Sequence, residues 1–476
     1  MKKYENLYIN GEWVPAHGEK KIEVVNPANE EAFAVVTSAS SEDVERAVAA
    51  AKEAFKTFSQ TTLAERIELL ERILKIYERR RQEFSDALTE ELGAPKTLSE
   101  GAQTWLGIGH IQATIDALKS MTLEEKKGNS TIVREPAGVA ALITPWNWPI
   151  NQVFTKTASA LAAGCTMILK PSQVTPIDSF LFTEILDEAG VPAGVFNLVT
   201  GDGVVIGRQL SLHPDVDVVS FTGSTRAGRE ISRDAAETIK VVHLELGGKS
   251  PNIILDDADL EKAVSTGVTI CYSNAGQSCS VATRMLVPRS KLAEVNEIAK
   301  RTAEAFVVGD PTKDETTMGP LVNARQFKSV QGYIQTGIEE GGELLTGGVG
   351  RPEGLAKGFY TKPTIFTNVD PKSTIAQEEI FGPVLVIIPF DSEEEAIEIA
   401  NDSIYGLAAV VQSADKDRAI KVASKIRSGH VYINHYTDDY VSVPFGGWKQ
   451  SGTGYEHDEW GIRGFQLVKA VLGTAV

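Results

Sequence analysis

GVAALITP, residues 138–145, opens the run of segments that decides how this chain folds. Helical patterns alternate with short apolar runs after it: NQVFTKTASALAAG (151–164), TMILKP (166–171) and TPIDSFLFTEILDEAG (175–190). VFNLVTG (195–201), VDVVSFTG (216–223), TRAGREISRDAAE (225–237) and VVHLELGG (241–248) complete the series. Continuous apolar and β-branched runs separated by helices are the pattern of a parallel sheet covered on both faces. Each run ends in Gly, Pro, Ser or Thr, where a doubly wound sheet carries its ligand-binding loops. The pattern predicts an α/β nucleotide-binding domain.

Outward from this stretch the chain stays ordered and free of repeats. Upstream, SSEDVERAVAAAKEAF (40–55) has a serine cap, early acids and one helical face. A longer helix follows, with Ile67, Leu70, Leu74, Tyr77, Phe84 and Leu88 at steps of three, four or seven. Gly93 and Pro95 close it. Downstream, PNIILDDADLEKAV (251–264) starts another strand and helix, and further α/β units run to about residue 435. A length of 476 residues is too great for one core and predicts two or three domains.

The bulk numbers exclude several classes. With 42% hydrophobic and 23% charged residues, there is ample apolar material for buried cores. Forty-seven basic residues against 64 acidic ones leave a net charge of −17. The densest basic run, Arg79 to Arg81, lies on a predicted helix and reads as a solvated face. Such a chain is a poor partner for nucleic acid or an anionic membrane. Three cysteines without a C-x-x-C fit a reducing cytoplasm, and seven histidines never fall in metal-ligand spacing, so no metal is expected. The N-terminus MKKYENLYINGEW lacks the apolar core of a secretory signal, and no run approaches the roughly 20 apolar residues that span a bilayer. The expectation is a soluble cytoplasmic protein.

Six places could carry chemistry. TGDGVVIG (200–207) sets Gly201, Gly203 and Gly207 after a strand, but one residue wider than the dinucleotide fingerprint. FTGSTRAG (221–228) puts Gly223 and Ser224 before a helix, whose free N–H groups suit a pyrophosphate. Both loops also read as tight turns that need glycine. Lys170, ending MILKPS, fits either a ribose or phosphate ligand or a surface lysine. Glu245, ending an apolar strand beside Gly247 and Gly248, is a general base whose pKa burial would raise, or a structural acid. Asn147 in TPWNWP suits an oxyanion donor or a turn brace. In NAGQSCSVATR (274–284) small polar neighbours surround Cys279, which reads as a nucleophile or as a packing residue. Cys165 and Cys271 sit in more apolar contexts and read as structural.

PWNWP (145–149), KPS (170–172), FTGS (221–224), ELGGKSP (245–251), GQSC (276–279), QEEIFGPV (377–384) and PFGGWKQSG (444–452) stand in an order and spacing that resembles the aldehyde dehydrogenase superfamily over essentially the whole chain. The resemblance implies that Cys279 attacks the aldehyde carbon and that Asn147, with the Cys279 backbone N–H, holds the oxyanion. It implies that hydride passes to a nicotinamide and that Glu245 activates the water that hydrolyses the thioester. Lys170 and Glu379 would hold the cofactor riboses, with Phe381 against the nicotinamide. Ile143, Thr144, Pro145 and Trp146 would line the same path, as would Ser172, Gln173, Gly203 and Gly207. Phe221, Thr222, Gly223, Ser224 and Leu246 would complete it.

By the same resemblance the cofactor is NAD, NADP or both, and the acyl acceptor is water, since members that transfer to coenzyme A generally lack a glutamate at position 245. In KPSQVTP (170–176), Gln173 stands where a glutamate often repels a 2′-phosphate, so NADP is expected to be accepted along with NAD. Trp148, Gln152, Thr155, Ser278, Ser280 and Tyr436 would line the substrate tunnel, with Tyr440 near its mouth, and a broad range of aliphatic or aromatic aldehydes is expected. Residues 1–120 and 139–246 would form a Rossmann-like cofactor domain and residues 247–436 a second α/β catalytic domain. Residues 121–138 and 455–476 would form a β-hairpin oligomerisation element, giving a homodimer or homotetramer; alternation in STIVRE (130–135) fits an edge strand. Two other readings use the same residues: a thiol hydrolase built on Cys279 and Glu245, or a protein that keeps the fold without catalysis.

Overall fold

The computed structural model describes residues 1–434 and 438–474. An eight-stranded sheet is built around the strand Val139–Ile143. On one side of it lie Thr166–Lys170 and Phe196–Leu198, in parallel register Val139↔Thr166 and Phe196↔Met167. On the other side lie Val218–Thr222 and Val241–Glu245, also parallel, with Val218 opposite Ala140 and Val241. Antiparallel edges are added by Asn6–Ile9 with Glu12–Pro15, and by Gly452–Thr453, which pairs with Leu244 and Glu245.

Alternation along Val139–Ile143 explains why the run is uniformly apolar. Ala140 and Leu142 enter the core shared with the helix Pro149–Ala163, while Val139, Ala141 and Ile143 enter the core shared with the helix Ser41–Phe58. Both faces are covered, so neither parity tolerates a polar residue. The chain winds away from the central strand in one direction, then returns to its other side at Val218–Thr222. That reversal opens a crevice at the carboxyl ends of the two strands, the place where doubly wound sheets bind ligands.

Local signals account for the helix boundaries. Ser40 caps Ser41–Phe58 through a reciprocal box with Asp43. Thr62 and Glu65 make a second such box at the start of Leu63–Glu91. Gly93 turns the chain out at φ +77°, where an added Cβ would lie 2.6 Å from Pro320 and 2.8 Å from Pro27. A π-helical turn, Ser99–Gln103, precedes the helix Thr104–Ser120.

A second sheet of seven strands begins at Pro251–Ile254. Its order runs Glu343–Thr346, Thr364–Thr367, Val384–Phe390, Arg284–Pro288, Pro251–Ile254, Ala408–Gln412 and His430–Ile433, parallel except for the first. Arg284 is 1% exposed at the start of its strand. Its guanidinium donates to the carbonyls of Lys249, Ile399 and Ala400 at 2.8–2.9 Å, which satisfies the buried donors and ties the sheet to its flanking segments.

Three antiparallel strands form a separate small sheet: Glu124–Lys127, Ser130–Pro136 and Gln466–Leu472. Here one expectation is corrected. Ser130–Pro136 is the central strand, not an edge, because the C-terminal strand covers it in the register Gln466↔Pro136 to Leu472↔Ser130. Local alternation carries no trace of a partner more than 300 residues away. Lys2–Tyr4, Lys21–Asn26 and Glu31–Thr37 form a further three-stranded sheet. No described helix is long and apolar enough to cross a membrane.

Candidate active site

The loop Thr144–Asn147 leaves the sheet at the crevice. Trp148 and Pro149 then start the helix Pro149–Ala163, proline filling a first-turn position where its missing N–H costs nothing. Asn147 is 5% exposed, and its Nδ2 donates to the Gln277 carbonyl at 3.1 Å. Its own carbonyl accepts from Asn274 Nδ2 at 2.8 Å and Gln103 Nε2 at 3.2 Å. The loop is therefore tied to the cysteine segment on one side and to the π-helical turn on the other.

The cysteine segment is held in an unusual backbone. Asn274, Ala275 and Gly276 are successively left-handed, at φ 53°, 54° and 71°. Two non-glycine residues in that region store strain that the surroundings must compensate. Gln277 supplies part of this, accepting from Val322 N at 2.9 Å and donating to the Asn274 carbonyl at 3.0 Å. Gly276 is required, since a Cβ there would lie 2.2 Å from the Gly382 carbonyl oxygen. Ser278 Oγ accepts from Trp148 Nε1 at 2.6 Å. Cys279 emerges half-buried from this frame. Burial, then the carboxyl groups of Glu379 and Glu245, push its thiol up to about 12. It rests protonated at neutral pH.

Glu245 ends the strand Val241–Glu245, is 3% exposed, and has an Oε2 with no hydrogen-bond partner. Burial raises its pKa well above the carboxylate range, Glu456 raises it further, and Lys156 opposes both. Lys156, on the helix Pro149–Ala163, is bonded to Glu456 in an ion pair whose side chains are 1% and 8% exposed. Breaking a buried pair costs about 3–5 kcal/mol. Lys156→Met is expected to lower stability by that order in chemical unfolding. It should also move the acidic limb of the pH–rate profile upward, because the charge that lowers the Glu245 pKa is gone. An unmoved limb would detach Lys156 from Glu245.

The remaining groups surround the crevice. Lys170 ends its strand 3% exposed, with Nζ donating to the carbonyls of Pro171 at 2.8 Å and Gly201 at 3.2 Å. It is not a surface lysine. Burial brings its pKa down to about 8. Ser224 caps the helix Thr225–Ala236 by accepting from Ala227 N. Gly223 cannot carry a side chain, because a Cβ would meet the Phe221 ring at 2.4 Å. Thr144, Ile143, Phe221, Thr222 and Leu246 are all buried, whereas Pro145, Trp146 and Ser172 are half-buried. Leu246 packs into the gap left by Gly228. Gly203 has open space at its missing Cβ, and a Cβ on Gly207 would lie 3.7 Å from Lys170 Cε. Val204 and Val205 between them are exposed. Gln173 is exposed.

Glu379 accepts from Gly248 N at 2.9 Å and is pushed up to about 7 by burial. Its Oε2 would lie 2.1 Å from a Cβ on Gly247, so the first glycine of the pair leaves room for the carboxylate. Phe381 has φ 57°, and its ring stands perpendicular to Trp146 at 5.3 Å between centroids. Gln152 and Thr155 are buried, Ser278 is 9% exposed and Ser280 is half-buried. Tyr436 lies outside the described residues, and Tyr440 sits against His110 and His457.

Cys279, Glu245, Asn147 and Glu379 thus converge from four separate segments. Sequence reasoning missed Glu456, Lys156, Gln277, Asn274 and Gln103. Asn274 and Gln277 lie within the quoted cysteine motif and could have been weighed. GYEHDEW around Glu456 carries no local signal.

Residues 13–471 match the sequence profile of the Aldehyde dehydrogenase family. A relative from Pseudomonas sp., named 3-succinoylsemialdehyde-pyridine dehydrogenase, is 50% identical over 474 residues, covering 99% of each chain. A crystal structure of a cysteine-to-alanine mutant of aldehyde dehydrogenase C from Pseudomonas syringae, with NAD+ and octanal, superposes with a TM-score of 0.98 at 46% identity. It covers 99% of this chain and 97% of that one. A Mycobacterium tuberculosis aldehyde dehydrogenase with NAD+ gives a TM-score of 0.96 at 42% identity, covering 99% and 98%. A profile match across nearly the whole length, on the geometry above, means that this chain belongs to the aldehyde dehydrogenase family and is an enzyme that oxidises aldehydes.

Proposed function

We propose that the chain oxidises an aldehyde to its carboxylic acid with NAD or NADP, using Cys279 as nucleophile, Asn147 as oxyanion donor and Glu245 as base. The observation that carries this reading is the unpartnered Glu245 Oε2, buried in the same cleft as a half-buried Cys279. A carboxylate left without a hydrogen bond is costly unless it has a proton to take. In this scheme Cys279 Sγ loses its proton and bonds to the aldehyde carbon. Asn147 Nδ2 and the Cys279 N–H steady the oxyanion of the thiohemiacetal. Glu245 then takes a proton from the water that attacks the thioester, and Cys279 leaves as the thiol.

The crevice fits a dinucleotide. Lys170 Nζ and the Glu379 carboxylate offer groups for ribose hydroxyls, and the Ser224-capped helix start suits a pyrophosphate. Exposed Val204 and Val205 offer an apolar rest for a base. When bound, the dinucleotide supplies the two-electron acceptor. NAD+ in the Pseudomonas syringae and Mycobacterium tuberculosis structures supports NAD use here. NADP is expected to serve as well, because exposed Gln173 brings no charge against a 2′-phosphate. Gln173→Glu should lower kcat/KM for NADP relative to NAD by roughly tenfold or more. A wild-type preference for NAD above roughly a hundredfold, about 2.7 kcal/mol, would refute NADP use.

The small three-stranded sheet, with Leu467, Val468 and Leu472 exposed, supports its pairing with a second copy as a dimer or tetramer. Within this reading the first sheet holds the cofactor, the second holds the nucleophile, and the protein works in the cytoplasm. The hydrolase reading is less well supported, since the family profile and the relatives are dehydrogenases. The direct test is octanal with each dinucleotide, followed by near-ultraviolet absorbance of the reduced cofactor. Absence of any reduction across an aldehyde panel would defeat the assignment.

A further inference from the structure

Gln103 is a buried amide that packing alone does not account for. It ends the π-helical turn Ser99–Gln103 and is 0% exposed. Its Nε2 donates to the Asn147 carbonyl at 3.2 Å, and its Oε1 is buried with no hydrogen-bond partner among the described residues. One bond made and one acceptor orphaned is a poor exchange for stability, and a hydrocarbon side chain of similar size would avoid it. The turn itself is irregular for a reason that lies nearby. Thr104 N donates to the Ser99 carbonyl five residues back, so one extra residue enters the helix here. An extra residue rotates the helix face by about 100°, which fixes where Gln103 lies relative to the rest of the helix.

The helix Leu63–Glu91 clamps this turn. Tyr77 Oη donates to the Thr104 carbonyl at 2.7 Å, and Arg81 Nε donates to Thr104 Oγ1 at 2.8 Å. Arg81 Nη2 also donates to the Glu100 carbonyl. Arg81 is half-buried in this role, a departure from the solvated face expected of the run Arg79 to Arg81. At the other end of the contact, the Asn147 carbonyl has two lone pairs and receives two donors, Gln103 Nε2 and Asn274 Nδ2. Asn274 belongs to the cysteine segment and moves with it. Gln103 is the tie from the first domain, through a helix whose Tyr77 and Phe84 share a core with Leu142. We propose that Gln103 is a positioning residue, which holds the Asn147 peptide so that Nδ2 meets the oxyanion formed at Cys279. This deepens the proposed role of Asn147 and rests on it.

The test is a cycle of Gln103→Met and Asn147→Ala. The readout is the single-turnover rate constant for reduction of NAD, with enzyme in saturating excess over octanal, which does not depend on the folded fraction. Asn147→Ala should slow this step by roughly 10²–10³-fold. Gln103→Met should slow it by roughly tenfold or more with Asn147 intact, since a misplacement of about 1 Å can cost about a hundredfold. In the Asn147→Ala background the same substitution should cost less than about twofold, because no donor is left to misplace. Gln103→Asn keeps the amide but falls one methylene short; it should show the same pattern and stands in if the methionine does not fold. A wild-type rate constant in the Gln103 variants, or an equal loss in both backgrounds, overturns the inference. Asn147→Ala as fast as the wild type would instead defeat the underlying role of Asn147.

Discussion

Cys279→Ala is expected to abolish aldehyde oxidation, with kcat falling by roughly 10⁴-fold or more, the scale seen when a nucleophile is removed from a covalent mechanism. The other two thiols cannot substitute. Cys165 and Cys271 are both 0% exposed. Burial pushes Cys165 up to about 11 and Cys271 up to about 12. Cys165 is also engaged, donating from Sγ to the Phe465 carbonyl at 3.2 Å. Octanal oxidation by the variant, followed through dinucleotide reduction, is the measurement. Undiminished turnover would overturn the mechanism. The same geometry predicts that an alkylating agent added before substrate modifies Cys279 and leaves the buried pair intact.

The parallel-sheet domain was legible because its signal is local. GVAALITP, TMILKP and VDVVSFTG are buried on both faces, and that double burial writes itself into consecutive apolar residues. Ser40 likewise announced its helix, because a cap and its partner stand three residues apart. Relations between distant segments left no such mark. Ser130–Pro136 read as an edge strand, yet Gln466–Leu472 covers it from the far end of the chain. Gly247 and Gly248 were legible only as the neighbours of Glu245. They are places where the Glu379 carboxylate and the Cys279 carbonyl approach too closely for any Cβ.

The site was legible in the same uneven way. Cys279, Asn147 and Glu245 each stood in a short motif, but every motif alone admitted a structural reading. What the structure adds is hydrogen-bond accounting, which no local window contains. Lys170 illustrates it. The motif MILKPS allowed a surface lysine, whereas the folded chain buries Nζ against two carbonyls. The Lys156–Glu456 pair illustrates the opposite failure. Its members stand 300 residues apart, in stretches with no chemical signature, yet both act on the Glu245 carboxyl.

The pKa directions carry a mechanistic consequence for Cys279. A reactive cysteine is usually found in positive surroundings that favour the thiolate. Cys279 has carboxyl groups instead, and its thiol is held high. In the proposed mechanism Cys279 must therefore surrender its proton during attack, and Glu245 Oε2 is the unpartnered acceptor in the same cleft. One carboxylate is then required twice: it takes the thiol proton, releases it to solvent before hydrolysis, and then takes a proton from the attacking water. Burial raises its pKa, which makes the ionised carboxylate a stronger base than one in water.

Glu245→Gln is accordingly expected to reduce steady-state kcat by roughly 10²–10⁴-fold, the usual contribution of a positioned base. The amide is close to isosteric and keeps the buried pocket filled, so the loss reports chemistry and not packing. Because the base acts in its ionised form, wild-type kcat should fall as pH drops through the raised Glu245 pKa, and the variant should lose that acidic limb. Raising the pH gives a second, sharper signature. As the pH rises above neutral, a growing fraction of Cys279 thiolate forms without help and the first half-reaction recovers in part. The second does not while hydroxide is still dilute, since the attacking water lacks its base. Stopped-flow absorbance at alkaline pH should therefore show close to one equivalent of reduced dinucleotide per site, followed by a stall with the acyl group on Cys279. Intact-mass detection of that thioester would place Glu245 in hydrolysis. Steady turnover without a burst would show that water is activated elsewhere, and Glu456 would be the next group to test.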